Sequence, residues 1–520
     1  MFTEKIHKKG LLLGLIAAGI ILFLFSSSPV HALSFPSGIN NYVALNISNS
    51  QSTATPNPFQ QMINITSADS GWTYINTNQT TAFGQNVEFF YANGTIIPSW
   101  LENYTSGHAI WWVKTGSIAA SSTLTIYMGF TNKTTNLFNN KTTGEAPQLT
   151  CPNPSDTASC STYGEYDDGA NVFNFYDNFA GTTINTTLWD TANEGNSISQ
   201  DNGITLGNTS TTNVHGIIIT NKAYYGNILE LYGEREGNNK GGGSHNTVEL
   251  GLTNTYNNGG SIENSYGYRI GQYTYGISYT NSSGSTSLLT SYSIPTSPFL
   301  LSLNYTTGSQ ILDQNYESVS SSTNTTLTFT NQPLYISLGY NYGDYYQQSF
   351  WYYIRLRAYP PNGVMPSVSF GSVQQVVVIT LYLNGVSNAN TTITYGTKSN
   401  FTAVMPLSLD YVSLYINGTK VVSLTQGKAV YLKTLATGLY KITAATNASG
   451  VNNQTYYEKI SKVSNYLSLS SSPNINYTYN GTKVNITAKV LSDLNNQLKN
   501  ITFKVNNMTI KDRALTTLHR

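Results

Sequence analysis

Cleaving a glycosidic bond takes two carboxylates facing each other across it, about 5–5.5 Å apart in a retaining enzyme. One β-strand can carry both, because residues two apart share a face. The sequence offers two such pairs, Glu165-Tyr166-Asp167 and Glu234-Arg235-Glu236. In the second, the intervening Arg235 and the Gly-rich run from Gly237 describe a solvated hairpin end. The six histidines are His7, His31, His108, His215, His245 and His519. None sits in a Gly-x-Ser-x-Gly elbow or a His-Glu-x-x-His helix, and His215, beside Ile217 and Ile219, reads as a strand residue. No catalytic residue is expected. Asp167, Asp168 and Asn171 beside Gly169 supply oxygens of the kind calcium takes; the competing and stronger reading is a polar turn that opens a domain. Calcium is the one cofactor the sequence suggests.

Aromatic residues carry the better binding signal, since sugar C–H faces stack on flat rings while polar neighbours take the hydroxyls. Tyrosine is abundant, 39 residues in 520. The run Tyr340-Asn341-Tyr342-Gly343-Asp344-Tyr345-Tyr346 forms a candidate platform through Tyr340, Tyr342, Tyr345 and Tyr346, set against the plainer reading that Tyr suits strands and their rims. Cys151 and Cys160 bracket a turn-rich octapeptide. In an exported chain they are expected to close a small loop as a disulfide, and no nearby His or third Cys supports a metal site.

The elements that must position these residues are strands. Val43, Leu45 and Ile47 alternate on one face, as do Leu124, Ile126, Met128 and Phe130, the period-2 pattern of half-buried antiparallel strands. Asn93-Gly94, Asn384-Gly385 and Asn417-Gly418 mark turns. Helical signals are nearly absent beyond the N-terminus. Charged residues make up 10% of the chain and the net charge is +1, which excludes nucleic-acid and polybasic membrane-surface binding. The expected fold class is all-β: tandem antiparallel β-sandwiches, a jelly roll plus immunoglobulin-like modules, after an N-terminal signal or anchor helix.

Lys5, Lys8 and Lys9, the apolar run Leu11–Phe25 and the triplet Val30-His31-Ala32 form a secretory signal cut after Ala32. An uncleaved anchor is the alternative, since the run approaches the roughly 17–25 residues that span a bilayer; the membrane would then be a partner. The division along the chain is 1–32 signal peptide or anchor, 33–147 a first β-domain, 148–162 a disulfide-stapled linker, 163–372 a jelly roll, 373–462 an immunoglobulin-like sandwich and 463–520 an incomplete second copy. The repeat is visible as Tyr395-Gly396-Thr397-Lys398 with Asn400-Phe401-Thr402-Ala403, returning as Asn480-Gly481-Thr482-Lys483 with Asn485-Ile486-Thr487-Ala488. The short second copy suggests a fragment whose missing part carried a C-terminal anchor. Sequons recur about twenty times; Asn46, Asn64, Asn93, Asn132, Asn185, Asn304, Asn400, Asn417 and Asn485 are glycosylation candidates.

Two stretches resemble known families. Gly71-Trp72 through Ser99-Trp100, then Ala109-Ile110-Trp111-Trp112-Val113-Lys114 and Tyr127-Met128-Gly129, resemble the domain of unknown function 2341 of exported archaeal and bacterial proteins, which implies location but no chemistry. Tyr163–Gly169, Phe175–Phe179 and Leu188-Trp189, closed by Trp351–Pro361 and Phe370-Gly371, resemble a concanavalin-like (laminin-G-type) jelly roll. That resemblance implies two curved sheets whose first and last strands pair, a carbohydrate- or ligand-binding module and, in some members, a glycoside hydrolase. The hydrolase motif Glu-x-Asp-x-x-Glu is met by Glu165 and Asp167 but fails at Ala170. The order of domains is similar to that of archaeal cell-surface proteins. The expectation is a non-catalytic exported protein of the cell surface or extracellular space, with surface glycans or proteins as partners, serving adhesion, envelope structure or glycan recognition through the jelly roll. The alternative is a secreted polysaccharide-active glycoside hydrolase.

Overall fold

The computed structural model describes residues 33–514 except 79–82, 153–159, 194–197, 209–215, 237–247, 257–262, 271–273, 284–285, 291, 294–297, 307–308, 328, 330–331, 341–346, 406–410, 448–450, 452, 463–466, 473–484, 491–499 and 506–507. The expected signal or anchor, 1–32, lies outside the described residues. Among the described residues no helix is long and apolar enough to cross a membrane. The described residues divide into two compact units, one of Phe35–Gln375 and one that begins at Val376.

The first seven strands of the Phe35–Gln375 unit are β1 (Asn41–Asn49), β2 (Phe59–Thr66), β3 (Val87–Phe90), β4 (Ser99–Thr105), β5 (His108–Thr115), β6 (Ser122–Phe130) and β7 (Thr143–Glu145). Next come β8 (Phe175–Asp177), β9 (Trp189–Asn193), β10 (Ile198–Gln200), β11 (Ile204–Asn208), β12 (Gly216–Thr220), β13 (Ile228–Glu236), β14 (Val248–Thr253), β15 (Ser265–Ile270) and β16 (Thr274–Thr280). The last of the unit are β17 (Thr286–Leu288), β18 (Tyr292–Ser293), β19 (Phe299–Thr306), β20 (Ser309–Gln314), β21 (Glu317–Ser322), β22 (Tyr335–Tyr340), β23 (Gln347–Arg357), β24 (Ser367–Phe370) and β25 (Gln374–Gln375).

They form four sheets. The first runs β24–β1–β6–β3 with β25 also on β1, and the second β2–β5–β4–β7. The third runs β10–β11–β23–β13–β19–β20–β21 with β8 on β23, and the fourth β17–β16–β15–β14–β22–β12–β9 with β18 on β16. The alternation of side chains along a strand lets the inner sheets bury both faces. On β5, Ala109, Trp111 and Val113 join the core shared with β1 and β6, while Ile110 and Trp112 join a second core with Tyr352 and Tyr353 of β23. On β23, Trp351, Ile354 and Leu356 turn the other way, into the core shared with the fourth sheet. The unit is thus a stack of four sheets with three apolar layers.

Two features of this unit differ from independent sandwiches joined by a linker. The segment after β7 is part of the middle layer: Ala146, Cys151, Tyr163 and Phe173 are buried there, because a chain passing between two apolar faces must itself be apolar where it touches them. And β24, read from sequence as the close of the jelly roll, pairs instead with β1, Leu45 opposite Phe370 and Ile47 opposite Val368. The pairing of first and last jelly-roll strands is made by β8 and β23, Asp177 opposite Ile354.

The second unit holds β26 (Thr380–Leu383), β27 (Val386–Ser387), β28 (Thr391–Thr394), β29 (Lys398–Val404), β30 (Tyr411–Ile416), β31 (Thr419–Gln426), β32 (Lys428–Thr434), β33 (Gly438–Thr446) and β34 (Gln454–Ser461). They make two sheets, β27–β26–β29–β32 and β28–β34–β33–β30–β31, closed over Leu381, Phe401, Leu414 and Ile442. Tyr440 donates its hydroxyl to the Ala436 carbonyl, 3.1 Å away, the kind of contact by which a late-strand tyrosine pins its own corner. Beyond residue 462 two hairpins are described, Leu467–Ser472 with Asn485–Val490 and Asn500–Val505 with Met508–Ala514.

Candidate functional site

A network of charged side chains is buried in the middle layer of the stack. Arg355 donates from Nε to Glu230 Oε2 at 2.6 Å and from Nη1 to Glu102 Oε2 at 3.0 Å. Arg357 Nη2 reaches Glu230 Oε1 at 3.0 Å, where Ser302 Oγ also donates, at 3.0 Å. Tyr316 and Trp112 both donate to Glu102, and Arg355 Nη2 donates to the Tyr316 oxygen at 3.0 Å. The Arg355 guanidinium lies 4.8–5.3 Å from the ring centroids of Phe173, Trp112 and Trp100, within cation–π range. Burial alone would raise the Glu230 carboxyl, but Arg355 and Arg357 bring it down to about 2. Arg355 is held firmly protonated by Glu102 and Glu230 against the cost of its burial. Glu230, held ionised and accepting from Arg355, Arg357 and Ser302, has no proton to give and serves as a structural ion. The sequence carried a trace of this network. Arg355 and Arg357 share one face of the otherwise apolar Ile354-Arg355-Leu356-Arg357, and Glu230 interrupts Ile228-Leu229-Glu230-Leu231; in a chain this poor in charge such placements ask for partners.

Asp167 is a second hub. Its Oδ1 accepts from Trp100 Nε1 (2.8 Å) and the Gly169 amide (2.9 Å), and its Oδ2 from the Tyr176 hydroxyl (2.6 Å) and Asn178 Nδ2 (2.7 Å). Burial lifts its carboxyl to about 6 against the pull of those bonds. Asp168 Oδ1 accepts from Asn171 Nδ2 at 2.5 Å, and burial lifts that carboxyl to about 7. Of the three residues expected to offer oxygens to calcium, Asp167 spends both of its own on hydrogen bonds, while Asp168 Oδ2 is buried with no hydrogen-bond partner. Asp167 is filled by four donors, and Asn171 turns its amide N–H, not its oxygen, toward Asp168. Among the described residues no cluster of three or more His, Cys, Asp or Glu is placed to hold a metal. Glu165 is exposed. Glu234 is half-buried, its carboxyl raised by burial, and its cross-strand partner on β23 is Phe350, not an acid. The side chain of Glu236 lies outside the described residues, as do His215, Tyr342, Tyr345, Tyr346 and the Tyr340 side chain. Cys151 and Cys160 are joined as a disulfide with Cα atoms 5.7 Å apart. Asn46, Asn64, Asn93, Asn132, Asn185, Asn400 and Asn417 are exposed. Asn304 is half-buried and gives its amide to Asp313, and the Asn485 side chain lies outside the described residues.

Where the second and third sheets diverge, a cleft of about 890 Å³ opens. This is in the range of small-ligand sites. Tyr225, 64% exposed, and Tyr359 line it together with Asn57, Asn174, Asn227 and Asn362; the Asn174 amide is engaged by the Tyr225 carbonyl and Gln60, and Asn362 gives Nδ2 to Gln51 Oε1 at 3.0 Å. Among the described residues its one charged side chain is Lys114, whose Nζ donates to the Asn171 carbonyl at 2.8 Å, and no Asp or Glu lines it. None of these asparagines is followed two residues on by Ser or Thr, so none of them is a glycan acceptor. Sequence reasoning missed this site because its walls come from separated loops and strand ends, none of which is a motif.

The family described as "Domain of unknown function (DUF2341)" matches residues 83–146, so that domain is present in the chain. "Uncharacterized protein 562" of Sulfolobus islandicus rod-shaped virus 1 is 31% identical over 367 residues, covering 62% of this chain and 58% of the relative's own length. Among solved structures, a Bacillus licheniformis beta-glucanase shares 13% identity at a TM-score of 0.27, covering 35% of this chain and 97% of its own. The VIP36 exoplasmic/lumenal domain in its Ca2+/Man3GlcNAc-bound form shares 13% at 0.28, covering 38% and 100%. The Emp46p carbohydrate recognition domain shares 13% at 0.25, covering 35% and 98%. Likeness at these TM-scores says nothing of this chain's chemistry.

Proposed function

We propose that this chain is an exported, non-catalytic surface protein that recognises glycan in the larger cleft of the Phe35–Gln375 unit. The observation that carries the reading is the make-up of the cleft wall: exposed and half-buried tyrosine rings, asparagine amides and, among the described residues, no carboxylate. Rings stack on the apolar faces of sugars, and amides both donate to and accept from hydroxyls. Hydrolysis needs a carboxylate pair across the bond, and the described wall has none to give. Export is read from the basic, apolar and small-residue order of Lys5 to Ala32, and an extracellular glycan is the partner such an address would supply.

The test is a glycan array probed with the exported form of the chain. Binding to a defined subset of oligosaccharides, abolished by Tyr225→Ala with the thermal midpoint unchanged, is the expected result. Uniform lack of binding overturns recognition. Release of reducing ends from a bound polysaccharide overturns the non-catalytic reading.

A further inference from the structure

At the other end of β5, about 20 Å from Lys114 at the strand rise, a second and smaller cleft of about 330 Å³ opens between the same two sandwiches. We propose that it is a separate pocket for a single neutral sugar ring. The inference stands apart from the larger cleft and does not require it to bind.

Three observations converge on this cleft. First, Gln148 lines it and is 7% exposed. Its Nε2 donates to the Glu102 carbonyl at 2.8 Å, which fixes the amide, and its Oε1 is buried with no hydrogen-bond partner. A buried acceptor left unpaired costs about 1–3 kcal/mol, and a ligand hydroxyl would remove that penalty. Second, two irregularities of the backbone shape the rim. The β4–β5 register shifts between Leu101 and Asn103, so that Glu102 is buried and Asn103 is turned to solvent at the mouth; bulges re-aim side chains in this way. Across the opening the two-residue turn between β20 and β21 places Asn315 and Tyr316 at φ 50° and 71°. That conformation suits Gly at the second position, and Tyr316 holds it because its hydroxyl is tied to Glu102 and Arg355. Third, the wall has the chemistry of a sugar site. Ile110 and Leu300 give an apolar surface, Tyr232 a ring, and Asn103 and His108 polar edges. Among the described residues no Lys or Arg lines it, and the one acid, Glu102, is already paired to Arg355, so nothing in it selects an anion. Its volume is at the low end for small-molecule pockets, enough for one ring and not for a chain.

The ring has two sources, a free or terminal sugar, or the first sugar of a glycan on Asn103 itself, since Asn103-Tyr104-Thr105 is a sequon at the mouth. The full exported chain, made in a host that does not glycosylate, is titrated with the methyl glycosides of glucose, mannose, galactose and N-acetylglucosamine, followed by saturation-transfer NMR. At least one is expected to bind, and Asn103→Trp, which fills the mouth from an exposed position, and His108→Ala are each expected to weaken it at least tenfold with no change in thermal midpoint. Glycosylated chain is run beside it. If it carries sugar at Asn103 and has lost binding of the free glycoside, the chain's own glycan is the occupant; if it still binds, the source is external. No binding by any of the four glycosides, or binding that both variants leave unchanged, overturns the proposal.

Discussion

Without the Arg355 guanidinium, Glu102 and Glu230 would remain in a dry interior with most of their counter-charge gone. Removing one partner of a buried ion pair costs about 3–5 kcal/mol, whereas exchanging a whole buried set for apolar residues of similar volume is often neutral. Arg355→Met is therefore expected to destabilise the unit by about that amount, and the combined Arg355→Met, Glu102→Met, Glu230→Met, Arg357→Met chain to recover most of the loss. Denaturant unfolding of the two variants checks this. Equal loss in both would mean that packing around the site, not charge, sets the stability. At this scale the sequence was half legible. The charged residues inside apolar strands were visible, but Glu102, Glu230 and Arg355 lie more than a hundred residues apart from one another, and only the pairing of β13 with β23 and the packing of β4 over them bring the charges together. Asp167 shows the opposite case. Its residue type suggested a ligand oxygen, and its surroundings of Trp100, Tyr176 and Asn178 made it a hub for hydrogen bonds.

The elements explain why the two sandwiches of the Phe35–Gln375 unit do not stand alone. Freed from its neighbour, the second sheet would expose Trp100, Ile110 and Trp112, and the first would lose β24 from the edge of β1. Burying such rings is worth about 25 cal/mol per Å² of apolar surface, so separation is strongly disfavoured. One calorimetric transition is expected for the unit, in place of two. Two separable transitions, or a folded, soluble fragment of residues 33–147, would contradict it. Strand type and position were readable from period-2 alternation, as in Val43-Ala44-Leu45-Asn46-Ile47, because one buried face imposes it. What could not be read was that β5 and β23 bury both faces. Trp111-Trp112 and Trp351-Tyr352-Tyr353 are the signal, continuous aromatic runs where a half-exposed strand would alternate.

Across the whole molecule the buried carboxyls set the response to pH. Burial first, then Asp167 and Glu165, raises Glu145 to about 8. Burial brings Glu88 and Asp168 to about 7 and Asp167 to about 6. Each binds its proton more tightly folded than unfolded, so each adds stability that is complete below its unfolded value near 4 and is lost as pH rises through 6 to 8. Glu230 works in the other sense: its contribution is present above its unfolded value and is lost only as pH falls toward 2. The thermal midpoint is expected to rise on acidification from about pH 8 to about pH 5 and to fall again below about pH 3. A midpoint that falls steadily from pH 8 to 5 at constant ionic strength would contradict this assignment. With 51 acidic and basic side chains in 520 residues, few surface charges compete with these buried ones in setting the profile.

Binding of glycan without cleavage, in the tyrosine- and asparagine-lined cleft, is the function proposed for the whole molecule. The most direct measurement of it is calorimetric titration of the chain with an oligosaccharide selected on the array, in wild type and Tyr225→Ala, with the products checked for new reducing ends. The expected result is saturable binding, a loss of at least tenfold (about 1.4 kcal/mol) in Tyr225→Ala, and an intact oligosaccharide. Equal affinity in the two proteins, or a cleaved product, would contradict it.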